Sequence, residues 1–150
     1  MAEWVDVLWL TPQMDRLLSD GAGPRRRFLD RLVYGCDPLH AKRVGAFERT
    51  MRERNRLLGE NGADPAWLSA LEDQMAEHAA AIAATRLEAV ERLNVALAEG
   101  AGAFPQARLT VQGWLEDKLT HAPALAVEEA YRAELAGNRR RDQLAGATLD

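Results

Sequence analysis

Between Pro65 and Glu99 the chain has neither a glycine nor a second proline, and it opens on Asp64-Pro65, a capping residue followed by a proline at the first helical position. Within that run Leu68, Leu71, Met75, His78, Ile82, Thr85 and Ala89 alternate steps of three and four, continuing more loosely through Leu93 and Leu97. The spacing predicts one long helix with a heptad seam held for about three repeats. At about 1.5 Å per residue it extends on the order of 50 Å, too long to wrap inside a small globule.

A helical pattern on Val44, Phe47, Met51 and Leu58 precedes it, separated by the turn Gly59-Glu60-Asn61-Gly62. A short turn between two apolar-striped helices predicts an antiparallel coiled-coil hairpin, expected to project as an arm. Its first helix has its own start signal in Asp37-Pro38.

The flanks read as shorter pieces. Trp4 to Leu10 is a β-branched and aromatic run, expected as a strand. Thr11-Pro12 then caps a short helix through Met14, Leu17 and Leu18, and Pro24 starts another that closes near Gly35. After the break at Gly100 to Ala103, the segment from Ala107 to Leu115 alternates well enough for a strand. A helix on Leu125, Val127, Tyr131 and Leu135 follows Pro123, acidic early at Glu128 and Glu129 and basic late at Arg139, Arg140 and Arg141. Ala147 to Asp150 reads as the approach to a further strand. The expected fold class is mainly α: a coiled-coil hairpin with short helices and a few strands. The expected units are residues 1–36, the hairpin at 37–99, and a return segment at 100–150. Strands without a sheet suggest a piece of a larger protein.

With 150 residues, 28% charged and 6% aromatic, the chain suits one soluble, helix-rich unit. The lone Cys36 excludes an internal disulfide and a cysteine-based metal cluster, which suits a reducing cytoplasm, and Cys36 itself is expected to be a small buried side chain. Met1 to Leu10 lack a basic n-region and a long apolar core, so no signal peptide is expected, and no run of about 18 apolar residues suggests a membrane span.

Charge is unevenly placed. Residues 24–59 hold ten basic and four acidic side chains, whereas residues 60–100 hold two basic and eight acidic. Flanking charges could serve only to pair the two hairpin helices. Alternatively, the outward members of Arg25, Arg26, Arg27, Arg31, Lys42, Arg43, Arg49, Arg52, Arg54 and Arg56 line a surface for a nucleic-acid backbone. Arginine is suited to that task because its rigid fork of donors is always charged. No aromatic residues interleave these cations in a base-stacking pattern, so a contact that tracks duplex phosphates fits better than single-strand capture. The first six, Arg25, Arg26, Arg27, Arg31, Lys42 and Arg43, are the principal DNA-binding candidates.

Catalytic signals are lacking. There is no phosphate-binding loop and no dinucleotide fingerprint. His40, His78 and His121 lack metal-ligand spacing, and His78 falls in the seam as a tolerated polar core residue. Asp15, Asp30 and Asp37 read as helix-terminal or arginine-pairing carboxylates. No catalytic residue and no metal ligand is assigned.

Four segments taken together, Val7 to Leu17, Gly23 to Leu32, Arg52 to Leu58 and Arg139 to Thr148, resemble in order the middle of the RecF family of bacterial DNA replication and repair proteins. The Arg25-Arg26-Arg27-Phe28-Leu29-Asp30-Arg31 segment and the Arg54-Asn55-Arg56-Leu57-Leu58 segment are specific together, more so than any single helix pattern. The resemblance implies an ABC-type ATPase head with a helical arm inserted between its halves, ATP and magnesium as cofactors of the full-length protein, and an ATP-dependent homodimer. It also implies binding to DNA, single-stranded or gapped regions included, cooperation with the RecO and RecR mediators in recombination and the SOS response, and a cytoplasmic location without membrane contact. By the same resemblance Gln13 falls in a loop that senses the γ-phosphate, although a solvated first-turn residue is the plainer reading. The phosphate loop expected upstream and the signature and Walker B segments expected downstream are absent from this chain, so no turnover of ATP is expected from it. The alternative is a structural coiled-coil module with no nucleic-acid binding.

Overall fold

The computed structural model describes residues 17, 19, 21–60, 64–100 and 105–148. Six helices are found among them: α1 (Ala22–Tyr34), α2 (His40–Gly59), α3 (Pro65–Glu99), α4 (Trp114–Leu119), α5 (Ala124–Gly137) and α6 (Arg139–Ala145). The expected strand at Trp4 to Leu10, the helix after Thr11-Pro12 apart from Leu17 and Ser19, and Gln13 lie outside the described residues.

The long helix forms as its sequence dictates. Asp64 Oδ1 accepts the Ala66 N–H at 2.9 Å and Pro65 occupies the first turn, where its missing donor costs nothing. The Asp37-Pro38 signal acts differently. Asp37 Oδ1 accepts the Leu39 N–H at 2.8 Å and its carbonyl accepts the His40 N–H at 3.0 Å, so it caps a tight turn from which α2 begins at His40. Helix α1 begins two residues before Pro24, which therefore sits in the first turn, among groups with no helical acceptor.

Helices α2 and α3 pack in opposite directions, with Leu57 and Leu58 of one against Leu68 and Leu71 of the other. Seam residues Leu68, Leu71, Met75, Ile82 and Ala89 are buried as expected, and His78 is half-buried. Burial goes further round the helix than one seam, because Ala76, Ala79, Ala80, Ala83 and Val90 are buried as well. Helices α1, α4 and α5 also pack on α3, which makes it the central post of a bundle. Small alanines on that second face let neighbouring helices approach closely. Its two ends, residues 65–70 apart from Leu68 and the stretch from Glu91, are mostly exposed.

Two expectations on the return segment are corrected. Residues 105–113 form no strand, and Trp114 and Leu115 begin α4. The alternation at Leu109 is real, but its backbone is satisfied by one side chain. Asn94 Oδ1 accepts the Leu109 N–H at 2.8 Å and Asn94 Nδ2 donates to its carbonyl at 2.9 Å, so a single amide takes the place of a neighbouring strand. Ala147 and Thr148 are likewise not a strand; they follow α6, which Gly146 ends in the left-handed region at φ 68°.

The arginine-rich end of the last expected helix is also a separate element. Asn138 breaks the chain between α5 and α6, which puts Arg139, Arg140 and Arg141 at the start of α6 rather than at the end of α5. That end of a helix repels cations, so tertiary carboxylates must hold Arg139 there. Cys36 is exposed in the turn after α1, not buried.

Candidate nucleic-acid interface and its buried supports

Two buried ionic networks fix the helices that carry the basic surface. Arg54, fully buried in α2, donates from Nε to Glu72 Oε1 of α3 at 3.0 Å and from Nη1 to Asp142 Oδ2 of α6 at 2.9 Å. It also donates from Nη1 to Thr148 Oγ1 at 3.0 Å and from Nη2 to the Leu135 carbonyl at 2.7 Å. Thr148 Oγ1 donates in turn to Asn55 Oδ1 at 2.6 Å. Arg139 closes the cluster from outside, donating from Nη2 to Glu72 Oε2 at 2.5 Å and to Ser69 Oγ at 3.0 Å. The hydrogen bond to Glu72 holds the Arg139 guanidinium more basic than usual. One guanidinium therefore joins α2, α3, α5, α6 and the segment beyond α6.

The second network centres on Asp30 of α1. Its Oδ1 meets His40 Nε2 at 2.8 Å and Arg86 Nε at 2.8 Å, and its Oδ2 accepts from Arg86 Nη2 at 2.9 Å. Burial works to raise the Asp30 carboxyl, but the hydrogen bonds from His40 and Arg86 outweigh it and hold the group below the usual carboxylate range. Burial likewise works against the charge of Arg86, and the bonds and charge of Asp30 reverse the shift. Arg86 Nη1 reaches Glu116 Oε1 of α4 at 3.4 Å. Gly113 makes room for that carboxylate, since a Cβ there would stand 2.1 Å from Glu116 Oε2. The pairing explains Asp30 as a structural carboxylate, bound to α2 and α3 rather than to its arginine neighbours. His40 Nδ1 is buried without a hydrogen-bond partner among the described residues.

The candidate DNA-binding residues do not form one patch. Arg25, Arg26, Arg27 and Arg31 are exposed on α1, but only Arg27 and Arg31 share a face, one turn apart. At about 100° per residue, Arg25 points roughly 160° away from Arg27. Arg27 and Arg31 make no ion pair among the described residues, whereas Arg25 and Arg26 are engaged. On α2, Lys42 is exposed and Arg43 is held in an ion pair by Asp37. The Leu39 amide and the Arg43 bond keep Asp37 below the usual carboxylate range.

Sequence reasoning counted Arg54 among the outward cations and missed Glu72 and Arg86. The signal was present in the spacing. Phe47, Met51, Arg54 and Leu58 step by four, three and four, which puts Arg54 on the apolar side of its helix. Arg86 falls likewise in the series Ala79, Ile82, Arg86 and Val90. Of the hairpin charges, one ion pair, Arg54 with Glu72, crosses from α2 to α3 among the described residues, so α2 keeps most of its other cations for its outer side. No group of three metal-ligating side chains occurs among the described residues, and none of their helices is long and apolar enough to cross a membrane.

These features define a helical scaffold, pinned internally by arginine and carboxylate and basic on α1 and α2. Compared with known proteins, the chain is 50% identical over 153 aligned residues to the DNA replication and repair protein RecF of Mesorhizobium japonicum. The identity is 47% over 152 residues to that of Rhizobium rhizogenes and 45% over 153 to that of Brucella abortus. The chain belongs to the RecF family. Each alignment takes in 100% of this chain and 40% of the relative, so the chain spans about two fifths of the length of the relatives it matches. No family model matches the chain, and no solved structure matches it.

Proposed function

We propose that this chain is the arm-bearing part of a RecF-like protein of DNA replication and recombinational repair. In this reading the hairpin at 37–99 is the arm, and residues 1–36 and 100–150 lead to and from an ATPase head. The whole protein would bind ATP with magnesium and DNA, pair as an ATP-dependent homodimer in the cytoplasm, and help load recombinase at gapped DNA together with RecO and RecR. The described residues do not fit a nucleotide or magnesium site, having neither a phosphate loop nor a carboxylate cluster, so no ATP step is derived for them. Gln13 stays a nucleotide-sensing proposal by resemblance alone.

The part proposed for this stretch is contact with the DNA backbone through Arg25, Arg26, Arg27, Arg31, Lys42 and Arg43. The observation that supports it is the pair Arg27 and Arg31: two exposed guanidinium groups one turn apart, with no ion pair among the described residues. The buried arginines Arg54 and Arg86, by contrast, are each matched by carboxylates. Anisotropy titrations of a short mixed-sequence duplex should show binding that weakens steeply with salt, and Arg27→Gln with Arg31→Gln should flatten the slope of log K against log salt by about 2. Absence of duplex binding at about 50 mM salt would favour a purely structural module.

A further inference from the structure

Helix α2 presents three cations, Arg49, Arg52 and Arg56, that lie outside the six residues named above and continue in line from Lys42. Lys42, Arg49, Arg52 and Arg56 are all exposed. Their spacings of seven, three and four place them within an arc of about 80° on the helix surface. Buried Arg54 and Leu58 lie on the opposite side, so the rest of the fold fixes this stripe outward. We propose that the outer face of α2 is a phosphate track for one strand of a DNA duplex, running from Lys42 to Arg56. It rests on the DNA-binding reading above and deepens it by adding a second, longer contact.

Three observations support the assignment. Lys42 and Arg49 make no ion pair among the described residues. Arg52 and Arg56 hold only exposed pairs one turn away, with Glu48 at 3.7 Å and with Glu60; such pairs are weak and exchange readily for phosphate. Glu53, half-buried, is the other carboxylate beside the stripe. Second, Gly45 lies on the same face, in mid-helix, where a glycine otherwise weakens the helix. The Arg49 guanidinium lies over it, with Nη1 3.4 Å from where a Cβ would stand, an ordinary contact distance. Third, the stripe contains no apolar or aromatic side chain. A protein partner would call for an apolar centre and a single strand for stacking platforms, whereas a duplex backbone requires only placed cations. From Lys42 to Arg56 the helix rises about 21 Å, about the axial rise of six base pairs of a duplex.

The test uses the full chain and a short mixed-sequence DNA duplex, titrated from about 50 to 200 mM salt, beside the single strand of equal length. Arg49→Gln with Arg56→Gln should lower the salt slope by about 2, equally for unrelated sequences, while circular dichroism and the melting curve stay unchanged. If the unaltered chain binds duplex and this variant binds with the same slope and affinity, the α2 track is overturned and the α1 contact stands. Loss of slope in the Arg49 and Arg56 variant alone, with none in the Arg27 and Arg31 variant, supports the track and removes the α1 contact. Binding to the single strand as tight as to the duplex overturns the duplex assignment, and no binding to either overturns both readings.

Discussion

Arg54 and Arg27 carry the same guanidinium on helices that both pack against α3, yet one is fully buried and the other stands in solvent. Around Arg54 two carboxylates, a hydroxyl and a carbonyl have been collected from four separate segments. Around Arg27 there is no carboxylate within ion-pairing distance among the described residues. The difference teaches that arginine content does not by itself indicate a nucleic-acid surface. A cation is available to a partner only after the fold's own acids have taken theirs, and in this chain the inner arginines are matched first.

The comparison breaks most visibly at Arg54. Arg54→Ala leaves Glu72 and Asp142 buried, with Arg139 alone to neutralise Glu72. Leaving a buried charge uncompensated costs about 3–5 kcal/mol, so the urea midpoint should fall sharply or the chain should fail to fold. A wild-type midpoint would mean that the cluster is not formed in solution.

Asp30→Asn is the next step down, since Arg86 keeps Glu116 and some contact with water. Weakening hydrogen bonds to charged groups points to a loss of about 2–3 kcal/mol at neutral pH. Its pH dependence is diagnostic. The folded Asp30 carboxyl titrates below its ordinary value of 3.8, so its contribution is complete above that value and lost as pH falls below it. Acid unfolding of the unaltered chain should include this loss, and Asp30→Asn should remove it from the difference curve. Identical acid profiles would exclude Asp30 as a stabilising anion.

The smallest effect on stability is expected outside. Arg27→Gln with Arg31→Gln should change the melting midpoint by no more than the equivalent of about 0.5 kcal/mol, although the same variant flattens the salt dependence of DNA binding. A large loss of stability there would show that the two arginines serve the fold, and the contrast with Arg54 would collapse.

Much of the fold is legible in the sequence where local chemistry governs it. Asp64-Pro65, the breaker-free run to Glu99 and its apolar spacing specify α3 from cap to end. Two of the misreadings share one cause: a local pattern was answered by a distant residue. Alternation around Leu109 resembles a strand, but Asn94, fifteen positions away, supplies the hydrogen bonds. Arg139 to Arg141 resemble a favourable helix end, but Asn138 breaks the helix and Glu72 retains Arg139 where its helix alone would repel it.

By itself the sequence determined the helical class, the long post and the concentration of cations in residues 24–59, because capping, periodicity and charge are properties of neighbouring residues. Tertiary structure alone decided which cations are available. Pairing between residues as distant as Arg54 and Asp142 depends on how helices assemble, and burial of a guanidinium is permitted only where that assembly brings its acceptors together.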